Sequence, residues 1–164
     1  MLPIDTSGLV YDRINTDSYE ANDLNRVGAM CETIVAAALA ETDVIEALRE
    51  QYGVAANEFT APDYGVPSIT AKTDFSTTDT YTLAEMKQYL QNVVNIVAAF
   101  PPEVYKKLPS DMRFLIAESA NNIEEDLKQS AENLVKRANQ TETNIINTAA
   151  AFQYSGEIYA GGII

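Results

Sequence analysis

The chain has no histidine, no tryptophan and a single cysteine in its 164 residues. Each absence closes a class of chemistry. Without imidazole there is no Ser-His-Asp or Cys-His pair, and histidine-ligated metal sites are excluded. One cysteine cannot form an intrachain disulfide. Cys31 sits among apolar neighbours, the setting of a small core residue rather than of a nucleophile. Positive charge is also scarce, with 11 basic against 24 acidic side chains and a formal charge of −13. Such a surface repels phosphate backbones and anionic lipid, which argues against nucleic-acid and membrane partners. The pairs Lys106-Lys107 and Lys136-Arg137 form no stripe and read as solvated faces. The opening MLPIDTSGLVYDR has neither a basic n-region nor an apolar h-region, so no signal peptide is expected, and no apolar run approaches a membrane span. No glycine-rich phosphate loop occurs. Carboxylates do cluster at Glu124-Glu125-Asp126, but adjacent helical positions point apart, and the run reads as a solvated face. No catalytic, cofactor-binding or metal residue is assigned, and the chain is read as no enzyme.

What is present is helical pattern. From Ser110 to Phe152 there is no proline or glycine, and Ala120, Ile123, Leu127, Ser130, Leu134, Ala138, Thr141, Ile145, Thr148 and Phe152 alternate steps of three and four, as a coiled-coil seam does. A helix of this length would run roughly 60 Å. It is therefore expected to pack along other helices or other subunits, with Leu127, Leu134, Ile145 and Phe152 as interaction residues.

Upstream, residues 1–18 show no sustained period and read as an arm. Leu24, Val27, Cys31, Ile34, Val35, Ala38 and Leu39 predict a first helix starting near Asn22, with Asn22 or Asp23 as N-cap. Thr42, Asp43 and Glu46 resemble a capping box, so the stretch that Gly53 closes reads equally as one helix or two. Residues 54–81 are rich in breakers and form a long loop, with a short edge strand possible over Val66–Ala71. Asp74, Ser76, Thr78, Thr80, Thr82 and Glu85 occupy the ligand positions of a calcium loop, but Asp79 stands where the sharp turn needs glycine. Thr82 and Glu85 are better explained as the capping box of a second helix, whose Leu83, Met86, Leu90, Val93, Val97 and Phe100 form one apolar face before Pro101-Pro102 stops it. At the C-terminus, Tyr154, Ile158 and Tyr159 among Gly156, Gly161 and Gly162 suit a strand that pairs in cis or in trans.

Several short motifs resemble, in order, a family of phage and prophage structural proteins of Gram-positive (Firmicutes) gut bacteria, encoded among tail genes. They are Asp12-Arg13-Ile14-Asn15-Thr16-Asp17, then Tyr19-Glu20-Ala21-Asn22-Asp23-Leu24-Asn25-Arg26-Val27, then Lys72-Thr73-Asp74-Phe75, with phenylalanine where the family has tryptophan. Tyr89-Leu90-Gln91-Asn92-Val93, Ala120-Asn121-Asn122-Ile123-Glu124 and Tyr154-Ser155-Gly156-Glu157-Ile158-Tyr159 follow. The resemblance implies a virion tail or baseplate component, without catalytic residues or cofactor.

The expectation is an all-α protein, an elongated bundle of three main helices. It comprises an N-terminal arm over 1–18, a helical bundle domain over 19–152 that includes the 54–81 loop, and a strand-like tail over 153–164. The expected role is that of a noncatalytic phage tail or baseplate structural protein, a homo-oligomer joined to other tail or baseplate proteins and assembled in the host cytoplasm. Leu127, Leu134, Ile145, Phe152, Tyr154, Ile158 and Tyr159 are the expected interaction residues. Two alternatives are a receptor-binding or adhesin anchor module using Phe59, Tyr64 and Phe75, and a transient tail-assembly chaperone.

Overall fold

The computed structural model describes Met1, residues 3–55 and residues 66–160, and the side chains of all these except Phe114 and 152–160. Among the described residues there are three α-helices, one 3-10 turn and no strand. Helix α1 spans Ala21–Tyr52, α2 spans Leu83–Ala99 and α3 spans Ala117–Ala160. The all-α expectation with three main helices therefore holds.

All three helices run in the same direction. Arg26 of α1 bonds Glu124 of α3, and further along both helices Glu41 meets Glu142. On α2, Tyr89 meets Tyr19 just before the start of α1, while the carbonyl of Ala99 accepts from Arg137 of α3. Short connections produce antiparallel neighbours. Parallel helices need connections that travel back along their length, which is why the links over 53–82 and 100–116 are long.

Each returning segment, and the N-terminal arm, lies extended along a helix as a strap that runs antiparallel to it. In the first return, Ser68, Thr70 and Lys72 meet Asn95, Asn92 and Glu85 of α2 in that order. In the second, Pro101, Val104, Lys106 and Lys107 meet Asn133, Gln129, Asp126 and Asn122 of α3. In the arm, Met1, Val10 and Arg13 meet Glu142, Glu124 and Asn121.

The local starts and stops follow from side chains. Thr82 Oγ1 accepts the Glu85 N–H and Glu85 returns the bond to the Thr82 N–H at 2.8 Å, the expected capping box. For α1 the cap lies earlier than Asn22 or Asp23. Glu20 is the N-cap, and Asp23 in the third helical position accepts its N–H at 2.7 Å. Gly53 ends α1 at φ 64°, a left-handed conformation that side chains resist.

One choice that the sequence left open is decided, and two stretches differ from their sequence reading. Helix α1 is continuous through Thr42, whose hydroxyl bonds back to the Ala38 carbonyl at 3.2 Å while Ile45 carries the apolar face on. Val66–Ala71 is extended but pairs with no strand, because α2 side chains take its backbone groups. Residues 110–116 precede α3 instead of opening it. The Asp111 carboxylate accepts the Arg113 N–H at 2.9 Å and closes a 3-10 turn over Met112–Phe114, a local bond that competes with the helix. At the other end the backbone of α3 runs on to Ala160, and the strand-like tail expected over 153–164 extends past it into 161–164, which lie outside the described residues. A single glycine inside a helix costs only about 1 kcal/mol, less than a broken run of backbone bonds.

Candidate functional site

The seam of α3 points into the chain's own core. Leu127, Leu134 and Ile145 are all 0% exposed, as are Ile123 and Ala138. Of the two expected kinds of partner, other helices or other subunits, these three side chains meet the core of their own chain. The backbone positions of Phe152, Tyr154, Ile158 and Tyr159 lie on the last turns of α3. Of the loop aromatics, Phe59 and Tyr64 lie outside the described residues. Phe75 is buried, edge-on to Tyr81 at 5.3 Å, which takes it off the surface that a receptor would meet.

Among the described residues, charged hydrogen bonds gather at the end where the helices start. Glu124, read from sequence as solvated, is fully buried and its carboxylate accepts from Val10 N–H at 2.7 Å, Arg13 Nη2 at 2.6 Å, and Arg26 Nε and Nη2 at 2.9 and 2.7 Å. Asp23 completes the group, 2.8 Å from Arg13 and 2.5 Å from Arg26. Two carboxylates balance two guanidiniums, so burial leaves no net charge to be solvated. Hydrogen bonds from the arginines and from the Glu20 N–H outweigh burial and hold Asp23 below the usual carboxylate range. The solvated-face reading fails because α1 and the arm cover one flank of α3 here and the second strap covers another. Asp126 is also fully buried, and burial raises its pKa although the Lys106 N–H reaches it at 2.9 Å.

Beside this ion group, the hydroxyls of Tyr19 and Tyr89 share a 2.5 Å hydrogen bond. Burial raises both phenols well above the ordinary value, so each stays a neutral hydroxyl.

Three asparagines repeat one device. Asn121 accepts the N–H of Arg13 and donates to its carbonyl, both at 3.0 Å. Asn25 does the same for Phe75 at 2.8 and 2.9 Å, and Asn92 for Thr70 at 3.1 and 2.8 Å. A primary amide presents one acceptor and two donors on one plane. It therefore replaces the strand that an extended backbone would otherwise require. Sequence reading did not single these residues out, although Asn25, Asn92 and Asn121 all lie in stretches that carry the family resemblance.

Between α1, α2 and the 66–75 strap lies a cavity of about 230 Å³. Its floor and walls include Val27, Cys31, Phe75 and Tyr89, all nearly inaccessible, and its mouth is flanked by Thr70, Gln88 and the Lys72–Glu85 pair. Gly28 is required at its edge, since a Cβ there would stand 2.6 Å from the Lys72 carbonyl oxygen. Burial pushes the Cys31 thiol up to about 12, so it is overwhelmingly protonated at neutral pH and reacts with thiol reagents only slowly.

A second acidic contact sits halfway along the rod. Glu41, 2% exposed, faces Glu142, and the Met1 ammonium binds Glu142 at 2.6 Å and Asn139 at 2.7 Å. Burial first, and then the hydrogen bond and charge of Glu142, raise the Glu41 carboxyl from 4.5 to about 7. No group of three or more acidic, cysteine or histidine side chains that could hold a metal occurs among the described residues. In the candidate calcium loop, Asp79 turns inward to accept the Ser76 N–H, and Glu85 is held by Lys72 and Thr82. No helix among the described residues is long and apolar enough to cross a membrane.

No protein-family model, no curated protein and no solved structure matches this chain.

Proposed function

We propose that this chain is a noncatalytic structural protein of a phage tail or baseplate. It acts as a helical rod and joins its neighbours through the far end of α3. One observation carries the reading: the stretches that resemble the tail-associated family supply the ion group and all three clamps, through Arg13, Asp23, Asn25, Arg26, Asn92, Asn121 and Glu124. These side chains are committed to holding extended segments against helices. That is the work of a scaffold part, which must keep its shape under load.

With the seam occupied inside the rod, neighbours meet other surfaces. Residues 150–160 carry a single charge, Glu157, and include Phe152, Tyr154, Ile158 and Tyr159. Glu41 lies opposite Glu142, so α1 ends roughly level with residue 153, and the last turns of α3 pass beyond it. A helix end that passes beyond α1 and is nearly without charge suits docking on another tail protein or a further copy of this chain.

Quantitative mass spectrometry of purified particles, with immunogold microscopy, tests the reading. Fixed copy number at the tail tip is the expected result. Presence in assembly intermediates but absence from finished particles would replace it with a chaperone role. Within it, Tyr154→Asp with Ile158→Asp is expected to leave helicity and melting unchanged while lowering incorporation into particles at least tenfold, roughly the effect of losing 1.4 kcal/mol of contact.

A further inference from the structure

We infer that the cavity between α1, α2 and the 66–75 strap is a binding socket for one uncharged aromatic ring of phenol or indole size. Its volume of about 230 Å³ exceeds the roughly 150 Å³ of an apolar cavity known to take benzene, which leaves room for a second ring or a polar substituent.

The socket is held open rather than left by loose packing. Asn25 fixes Phe75 to α1 and Asn92 fixes Thr70 to α2, each through both backbone groups of the strap residue. These bonds set how far the strap stands from the helices. Collapse onto the space between would break them, and buried polar groups left without partners oppose that.

The lining selects the class of occupant. Val27, Cys31, Phe75 and Tyr89, none more than 5% exposed, offer apolar surface, and the raised Cys31 thiol carries no charge. At the mouth, Lys72 Nζ bonds Glu85 at 2.9 Å and lies 4.6 Å from the centre of the Phe75 ring, so the two charges there answer each other. A charged ligand would meet no opposite charge and would lose its hydration. Thr70 and Gln88 at the same mouth provide polar atoms for a ring hydroxyl or ring N–H directed outward.

Such a ring can belong to a free small molecule or to a side chain of another protein. Two probes separate the sources, indole and N-acetyl-tryptophanamide. Each is titrated into the purified full chain, with the melting temperature and the rate of Cys31 modification by a thiol reagent as readouts; Cys31 is the only thiol in the chain. Indole is expected to raise the melting temperature saturably and to slow modification, and benzoate to do neither. Ala71→Leu, at the half-buried rim, narrows the socket and keeps the thiol, and should abolish both effects. Cys31→Leu fills the socket from within and should abolish the thermal shift. Entry of N-acetyl-tryptophanamide as well as indole identifies a protein side chain as the natural occupant. Its exclusion while indole binds identifies a free small molecule. Absence of a saturable indole shift in the unaltered chain, or an equal shift in Ala71→Leu, overturns the assignment. The assay uses the isolated chain, so its failure is distinct from failure to find the protein in tails.

Discussion

At the level of α1 residues 21–38, three helices and three straps meet, and α1 is joined to α3 by Glu124 with Arg13, Asp23 and Arg26. Further along, at residues 39–52, described contacts join the same two helices through Ile45, Leu48, Ile145 and Ala149, with only the first residue of the arm beside them. The first region buries charge in directed bonds. The second buries aliphatic surface and leaves Leu39, Val44 and Ile146 exposed on its flanks. Apolar contact is non-directional, whereas a charged hydrogen bond has one good geometry. The head therefore fixes which residue faces which, and the distal pair extends that register along the rod.

The sharpest way to break this contrast is to remove one carboxylate of the head. Glu124→Ala leaves two partly buried guanidiniums sharing Asp23 as their one carboxylate and the Val10 N–H without its acceptor, and should cost about 3–5 kcal/mol. Ile145→Ala, at the distal seam, should cost about 2–4 kcal/mol through lost burial and a cavity. Denaturant unfolding of both variants decides between them. If Ile145→Ala proves the more damaging, the rod is held from its distal end.

The distal region carries its own signature in pH. Glu41 binds a proton more tightly when folded, so its contribution is full below about 4.5 and is lost as pH rises through about 7. A shift of that size corresponds to at most about 3 kcal/mol. Glu41→Gln should flatten the fall in stability between pH 5 and pH 8 and make the variant the more stable protein at pH 8. An unchanged pH profile would remove Glu41 from the account.

Smaller effects sharpen the picture of the straps. Asn92→Ala leaves two Thr70 backbone groups without their amide, at an expected cost of about 1–3 kcal/mol. Amide exchange should quicken over 66–75 and stay slow in α3, because the clamp holds only the strap. The smallest effect belongs to Gly53→Ala. A Cβ there meets nothing within 4 Å, so only the left-handed conformation at φ 64° resists it, by about 1 kcal/mol. A cost several times larger would mean that the end of α1 governs the distal pair.

How legible these features are depends on where their causes lie. Helix α2 can be read complete, because Thr82 and Glu85 cap it within four residues and Pro101-Pro102 follow its last turn. The continuity of α1 cannot, because Thr42, Asp43 and Glu46 match a capping box as well as an uninterrupted helix. Glu124 misleads, since a charge beside Glu125 has the pattern of a solvated face until its partners at Arg13 and Arg26 are known. Those partners lie 111 and 98 residues away. The clamps are hidden for the same reason: an asparagine on a helix face carries no local sign that it will bond an extended segment.

By itself, the sequence determined the helical class, the apolar faces, the caps of α2 and the stop at Gly53, all set by periodicity and hydrogen bonds within a turn or two. It also determined that a long seam must be covered. The tertiary structure alone decided what covers it, that the three helices run parallel, and that the returning links become straps held by asparagines. Those outcomes depend on which distant polar groups meet once water is excluded. A buried carboxylate or amide must find partners wherever the chain brings them, and no local pattern records that meeting.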